Sequence, residues 1–325
     1  MTIHVGERAL ACLAVCGIIL VAVVGSRHGA HHGYERGEVL RYLPESCPSA
    51  RVYVDMATLW TEVGSPELAA AAHEGGPLRE LVRAFDAAGI DLRVDITDIA
   101  FCAQSIGADE DERSIVFVAI GGALGGDEAL QRYRSVIMAL SHVDASSIIE
   151  DRRDGVPYVV SKYRLKRDWI AMPAANVLVF STEDVAAVAG LRMSRVGDRT
   201  VWRADASTSA SFEYRAPGTT ETSVTGRIAD DHGVVAITGL AHFEGLRNLD
   251  ATKLATIRDA AASVLTQSAL RSLAAPVGSM VLAIEGGALR FELRPTAASV
   301  AQALVEVARD PRIVRTLVAD LAQRP

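Results

Sequence analysis

Residues Ala9 to Val24 form one unbroken apolar run, ALACLAVCGIILVAVV, 16 residues long. A membrane-spanning helix needs about 20 apolar residues, with a floor of roughly 17. A signal-peptide core needs about 7 to 15. The run lies between these lengths, so three readings stay open. One is an uncleaved signal anchor with Gly25 and Ser26 at its outer edge. The second is a cleaved signal peptide, for which Val24-Gly25-Ser26 offers a cleavage site. The third is a lipoprotein lipidated on Cys16, because Leu13-Ala14-Val15-Cys16 resembles a lipobox. Val15 stands where a smaller residue is expected, and the chain stays apolar after Cys16, which weighs against the third. The polar stretch SRHGAHHGYERGE that follows reads as a linker, so the run is not a packed helix of a cytosolic domain.

The expected order is a cytoplasmic tail (1–8), a transmembrane signal anchor (9–25), a flexible linker (26–42) and an extracytoplasmic body. The charges flanking the run give no clear orientation by the positive-inside rule. A tail of so few residues has no fold of its own and is easiest to leave in the cytoplasm. That places the rest outside, in the periplasm of a bacterium, with the lipid bilayer as the partner of the N-terminal helix. The alternative is release to the periplasm after cleavage.

About 280 residues follow the linker, enough for one large domain or two small ones. Half of the chain is hydrophobic, so a large core can be buried. The formal charge of −7 argues against a nucleic-acid partner, whose footprint is a basic patch. The one basic cluster, Lys162-Tyr163-Arg164-Leu165-Lys166-Arg167, reads as a solvated strand face or hairpin end. Cys12 and Cys16 lie in the apolar run, and Cys47 and Cys102 in the exported part. If the strands near them are neighbours, Cys47 and Cys102 could bridge in an oxidising compartment. Closing that loop of about 55 residues would contribute roughly 4 kcal/mol on the chain-entropy model.

The body alternates strands and helices. Leu78, Leu81, Val82 and Phe85 follow helical spacing between Pro77 and a Gly89 stop. Strands are expected at 50–54, 96–105, 114–120, 148–149, 156–160, 177–180, 210–214, 223–228, 234–238, 280–284 and 289–293. Asp127 is expected to cap a helix carrying Leu130, Tyr133 and Val136. A long helix is expected from Asp250 to Leu273, and Thr296 is expected to cap another carrying Val300, Leu304 and Val307. The fold class is therefore α+β, with antiparallel sheets packed by helices behind the N-terminal segment. Helix, hairpin, cap and helix recur around 78–140 and 250–308. This predicts two pseudo-repeated halves, 43–195 and 196–325.

Leu43-Pro44, Val52-Tyr53-Val54-Asp55-Met56, Leu59 and Ser65-Pro66 resemble the opening of certain bacterial exported proteins grouped only as a domain of unknown function. The resemblance implies an N-terminal anchor, a duplicated α+β body and no catalytic residues to carry over.

The candidate chemistry is thin. Gly121-Gly122-Ala123-Leu124-Gly125-Gly126 lies where phosphate loops lie, between a strand and a helix. It fits neither GxGxxG nor GxxxxGK[ST], and Asp127 and Glu128 oppose an anion. His28, His31 and His32 sit on a Gly-rich tether without a supporting carboxylate, and the run Asp109–Glu112 lacks calcium-loop spacing. No catalytic, cofactor or metal residue is expected. There is no GxSxG or HExxH. The expected function is a non-catalytic binding or structural protein of the envelope. One alternative is a hydrolase built on His232, His242 and Glu244. Another is an assembly or sensory partner of an envelope protein, acting through an apolar face of the 250–273 helix.

Overall fold

The computed structural model describes residues 37–43, 50–56, 83–91, 95–106, 113–122, 126–141, 145–153, 155–163, 166–174, 176–181, 210–215, 223–231, 234–243, 246, 249–310 and 313. The tail and anchor expected at 1–8 and 9–25 lie outside these residues. Among the described residues no helix is long and apolar enough to cross a membrane.

Twelve strands form one antiparallel sheet: β1 (Ala50–Asp55), β2 (Ile96–Ile106), β3 (Arg113–Gly122), β4 (Ile148–Arg153), β5 (Val156–Tyr163), β6 (Lys166–Ala174), β7 (Val177–Ser181), β8 (Ala210–Arg215), β9 (Ser223–Asp231), β10 (Val234–His242), β11 (Val281–Glu285) and β12 (Ala288–Leu293). The spatial order is β11-β12-β10-β9-β8-β1-β2-β3-β7-β6-β5-β4. The helices are α1 (Gly126–Ser141), α2 (Ala251–Thr266), the short α3 (Ala274–Gly278) and α4 (Ala297–Arg309).

The order divides at the β1–β8 joint. On one side a meander β1-β2-β3 leads into α1, and the chain returns so that β7 lies beside β3. On the other, β8-β9-β10 leads into α2, and the return lays β12 beside β10. The matching elements are thus meander, helix and returning strands. The correspondence expected from the sequence set the β2–β3 pair against β11–β12. In the sheet order the counterpart of β2–β3 is β9–β10. Helix, hairpin and helix occur in both halves at different points of the pattern, so a motif match alone aligned them out of phase.

In the first half both faces of the sheet are covered. Val159, Ile170 and Leu178 join Leu130, Tyr133 and Val136 of α1 in one buried cluster. The opposite face carries Val160, Ala171, Val177 and Val179, which pack with Val39, Leu40 and Tyr42. Those last residues belong to a 3-10 turn, Glu38–Tyr42. The linker expected over 26–42 therefore ends by residue 37. Its charged residues gave it a polar reading, yet its three apolar side chains close a face of the sheet. The turn is pinned by Asp98, which is fully buried on β2: its Oδ2 accepts from the Gly37 backbone N–H at 2.6 Å and from the Tyr53 hydroxyl at 3.1 Å.

In the second half one face carries the apolar side chains. Ala210, Ile228, Val235 and Ile237 lie on it against Leu304 and Val307 of α4. Across β8, β9, β10 and β12 the register sets Phe212, Gly226, Gly239 and Phe291 in one row. The two rings lie where a Cβ on either glycine would be, so each ring folds flat over its neighbouring strand. The reverse face is polar. Arg227 Nε donates to Thr238 at 3.4 Å, and Arg290 and Arg294 pair with Glu285 and Glu292. This is the alternation of a one-sided antiparallel sheet.

Local expectations fare unevenly. Gly89 adopts φ 68°, and Ile90 N–H bonds Phe85 C=O at 3.0 Å, a Schellman-type stop. Thr296 accepts from Ser299 N–H and caps α4. The basic cluster sits at the β5–β6 hairpin end, where Lys162 faces Arg167 and Tyr163 faces Lys166. Three differences stand out. β6 was not expected as a strand because Pro173 interrupts its pattern. The sheet admits the proline where the register shifts between Ala171 and Ala174. α1 begins at Gly126, which places Asp127 inside the helix instead of at its cap. The helix expected from Asp250 to Leu273 stops after Thr266. There the Ser268 hydroxyl donates to Leu265 C=O and accepts from Leu270 N–H, which turns the chain. Leu270 and Leu273 still point to the core and prolong the apolar periodicity past the break.

Candidate functional site

The cleft of interest forms where α2 crosses the edge of the sheet. Asp250 starts the helix by accepting the Lys253 N–H at 2.8 Å. Several residues of α2 facing the sheet are alanines, which leave space above β11. The resulting cleft measures about 400 Å³. Leu249, Leu254 and Ala255 form one wall, and Met280, Leu282 and Ile284 form the other. Asp250 and Arg258 supply its charges, and Arg258 is tied to Asp259 at 2.9 Å.

Ile284 in the wall of this cleft is 40% exposed and Ile257 on α2 50%, while Val281 (60%) and Leu240 (42%) stand on the reverse face, opposite Glu292 and Arg290. Single exposed apolar residues are ordinary, but Ile284 and Ile257 at an open apolar cleft mark a surface that excludes water by meeting something. Hydrocarbon walls with the Asp250 carboxylate and the Arg258 guanidinium give this cleft the means to hold an apolar group and orient it.

Few of the residues singled out from the sequence lie among the described residues. His242 is exposed at the end of β10, opposite Ser223 of β9. β10 starts at Val234, so about 27 Å of strand separates the two ends at roughly 3.4 Å per residue. His232, two positions before that start, and Glu244 lie outside the described residues. Cys102 is fully buried and disulfide-bonded, and Cys47 lies outside the described residues. His28, His31 and His32, the run 109–112 and residues 123–125 of the glycine stretch are outside them too. Gly121 and Gly122 belong to β3. A side chain at Gly122 would strike the Asp95 carbonyl, and φ there is 153°. Close backbone approach accounts for that glycine. Among the described residues no three His, Cys, Asp or Glu groups gather as metal ligands.

Sequence reasoning named the 250–273 helix as a contact surface but missed the cleft. Its signal is weak: the alanines of α2 opposite Leu282 and Ile284 look like ordinary helix formers.

A second buried feature is Tyr133. Its ring meets Phe85 and Phe180 edge-on at 5.7 and 5.6 Å. Its hydroxyl is buried without a hydrogen-bond partner. Burial, with the nearby Asp95 charge adding to it, raises its pKa well above the ordinary phenol value. It packs α1 onto the sheet.

The chain matches no protein-family model and no curated protein sequence. Among solved structures, crystal form III of TP0453 is 9% identical over 88% of this chain and 97% of that one, with a TM-score of 0.44. Crystal form I of TP0453 is 8% identical over 86% and 100%, with a TM-score of 0.46.

Proposed function

We propose that this is a membrane-anchored, extracytoplasmic binding or structural module of the bacterial envelope, one of the exported α+β proteins that the 43–66 segment resembles. In this reading Ala9–Val24 holds it to the bilayer and the α2–β11 end of the sheet is its binding surface. The observation that carries the reading is the open apolar cleft with exposed Ile284 in its wall and exposed Ile257 on the helix that bounds it. Apolar walls with one acidic and one basic side chain suit non-catalytic recognition, where burial of hydrocarbon drives binding and a few polar groups set orientation. The exposed Ile257 favours a protein partner, because a helix face can dock where a closed pocket cannot.

Fractionation and intact mass, with and without reductant, test the placement. The expected result is full-length mass in the membrane fraction, with a deficit of about two daltons lost on reduction if Cys102 pairs with Cys47. A shortened soluble species beginning near Arg27 would make the protein secreted. A fully reduced cytosolic product would sink the reading.

A further inference from the structure

We propose that β11 pairs with β11 of a second copy of this chain, joining two sheets through a two-fold axis at Ala283. The inference rests on reading the α2–β11 end as the binding surface, and it names what covers that surface.

The backbone decides which groups are free. Gly286 and Gly287 both have positive φ, 58° and 83°, so Glu285-Gly286-Gly287-Ala288 is a two-residue hairpin turn of the primed kind. Across such a turn Glu285 and Ala288 exchange both of their bonds. The antiparallel alternation then directs Ala283 and Val281 inward to β12, and turns the N–H and C=O groups of Leu282 and Ile284 outward. No described strand lies beyond β11. A bare edge of this kind is a template for another strand.

The register follows from those outward groups. In antiparallel pairing about Ala283, Leu282 of one copy faces Ile284 of the other, twice over. Every outward group of both strands is then bonded. A shift of the axis to Leu282 or Ile284 leaves one residue of each copy facing the strand end or the glycine turn.

Side chains agree with this register. Leu282 and Ile284, on the helix-covered face, extend one another's apolar layer and lengthen the wall of the cleft. Ala283 meets Ala283, small enough for the close approach of a pair that exchanges no bonds. Val281 meets Glu285, whose carboxylate lies 3.4 Å from Arg290, so no like charges are opposed. The far edge of the sheet is unlike this one. β4 carries Glu150, Asp151, Arg152 and Arg153, a run of charges that disfavours open-ended β11–β4 chains. The pairing thus closes at two copies.

The test uses the full-length protein in its membrane fraction, with Ala283→Cys and Val281→Cys variants under mild oxidation. Facing Cα atoms at a pair without mutual bonds stand about 4.5 Å apart, within the range a disulfide spans. The expected result is a reducible dimer from Ala283→Cys and none from Val281→Cys, with bridging restored in Val281→Cys/Glu285→Cys. Hydrogen exchange of the 281–285 segment is read alongside. Equal bridging of both single variants would mean collision without register and would overturn the pairing. No bridging together with slow exchange would mean that a different chain covers the edge; self-pairing fails while the binding surface stands. No bridging with fast exchange at every protein concentration would remove both. As a further check, Leu282→Pro removes an outward N–H together with the leucine side chain, and should raise the dimer dissociation constant at least roughly tenfold.

Discussion

At the β4 end of the sheet, Val159, Ile170 and Leu178 are fully buried under α1, and the reverse face is closed by Val39, Leu40 and Tyr42. At the β11 end the same topological unit has helices on one face, arginine–glutamate pairs on the other and an apolar edge left open. One unit can therefore serve two purposes. Covered on both faces it is a rigid support. Covered on one, it presents an edge, a cleft and a half-exposed helix.

That contrast makes measurable claims. Ile170 on β6 and Leu282 on β11 occupy corresponding strands. Ile170→Ala should destabilise by about 3 to 4 kcal/mol and Leu282→Ala by about 1, because only the first opens a closed cavity. Equal losses in urea unfolding would erase the difference between the halves. Next in size, Asp98→Ala leaves the Gly37 N–H without its acceptor and should cost about 2 to 3 kcal/mol, with a smaller loss for Asp98→Asn. The 3-10 turn should then exchange its amides faster than α1 does, which hydrogen exchange would show. Gly239→Ala should cost about 1 to 3 kcal/mol, since the new methyl meets the Thr225 carbonyl as well as the Phe291 ring. If the protein tolerates it without loss, the ring row is not closely packed.

The smallest effect is expected at Tyr133. Its hydroxyl has no partner, so Tyr133→Phe should be neutral or stabilising by up to about 1 kcal/mol. The pH sign follows from its raised pKa. Below the ordinary phenol value of about 10 both folded and unfolded chains keep the proton. Above it the unfolded chain loses its proton first, so stability falls as pH rises. The phenylalanine variant should show a shallower alkaline decline in the urea midpoint.

Much of the fold was legible because local chemistry and tertiary demand agree. Thr296, Gly89 and the paired turn glycines 286–287 are punctuation whose physics is local. β6 and the end of α2 were not legible, for opposite reasons. Pro173 breaks a strand pattern that the sheet accommodates at a register shift, and Leu270 with Leu273 continues a helical pattern after Ser268 has ended the helix. The buried role of Val39, Leu40 and Tyr42 depends on a partner 61 positions away, Asp98, which no window of sequence contains. The candidate site was least legible. A cleft is made by what α2 lacks opposite Leu282 and Ile284, and absence of bulk leaves no motif.

The bond from Gly37 to Asp98 also governs how the body bears load. Tension arriving along the chain from before Gly37 enters at β2, near the middle of the sheet, and not at a free edge. The first contacts to be strained are that bond and the seat of Val39, Leu40 and Tyr42, while β11 stays far from the line of force. A pull on the chain ahead of Gly37 would therefore loosen the cap on the support half before it disturbs the open half.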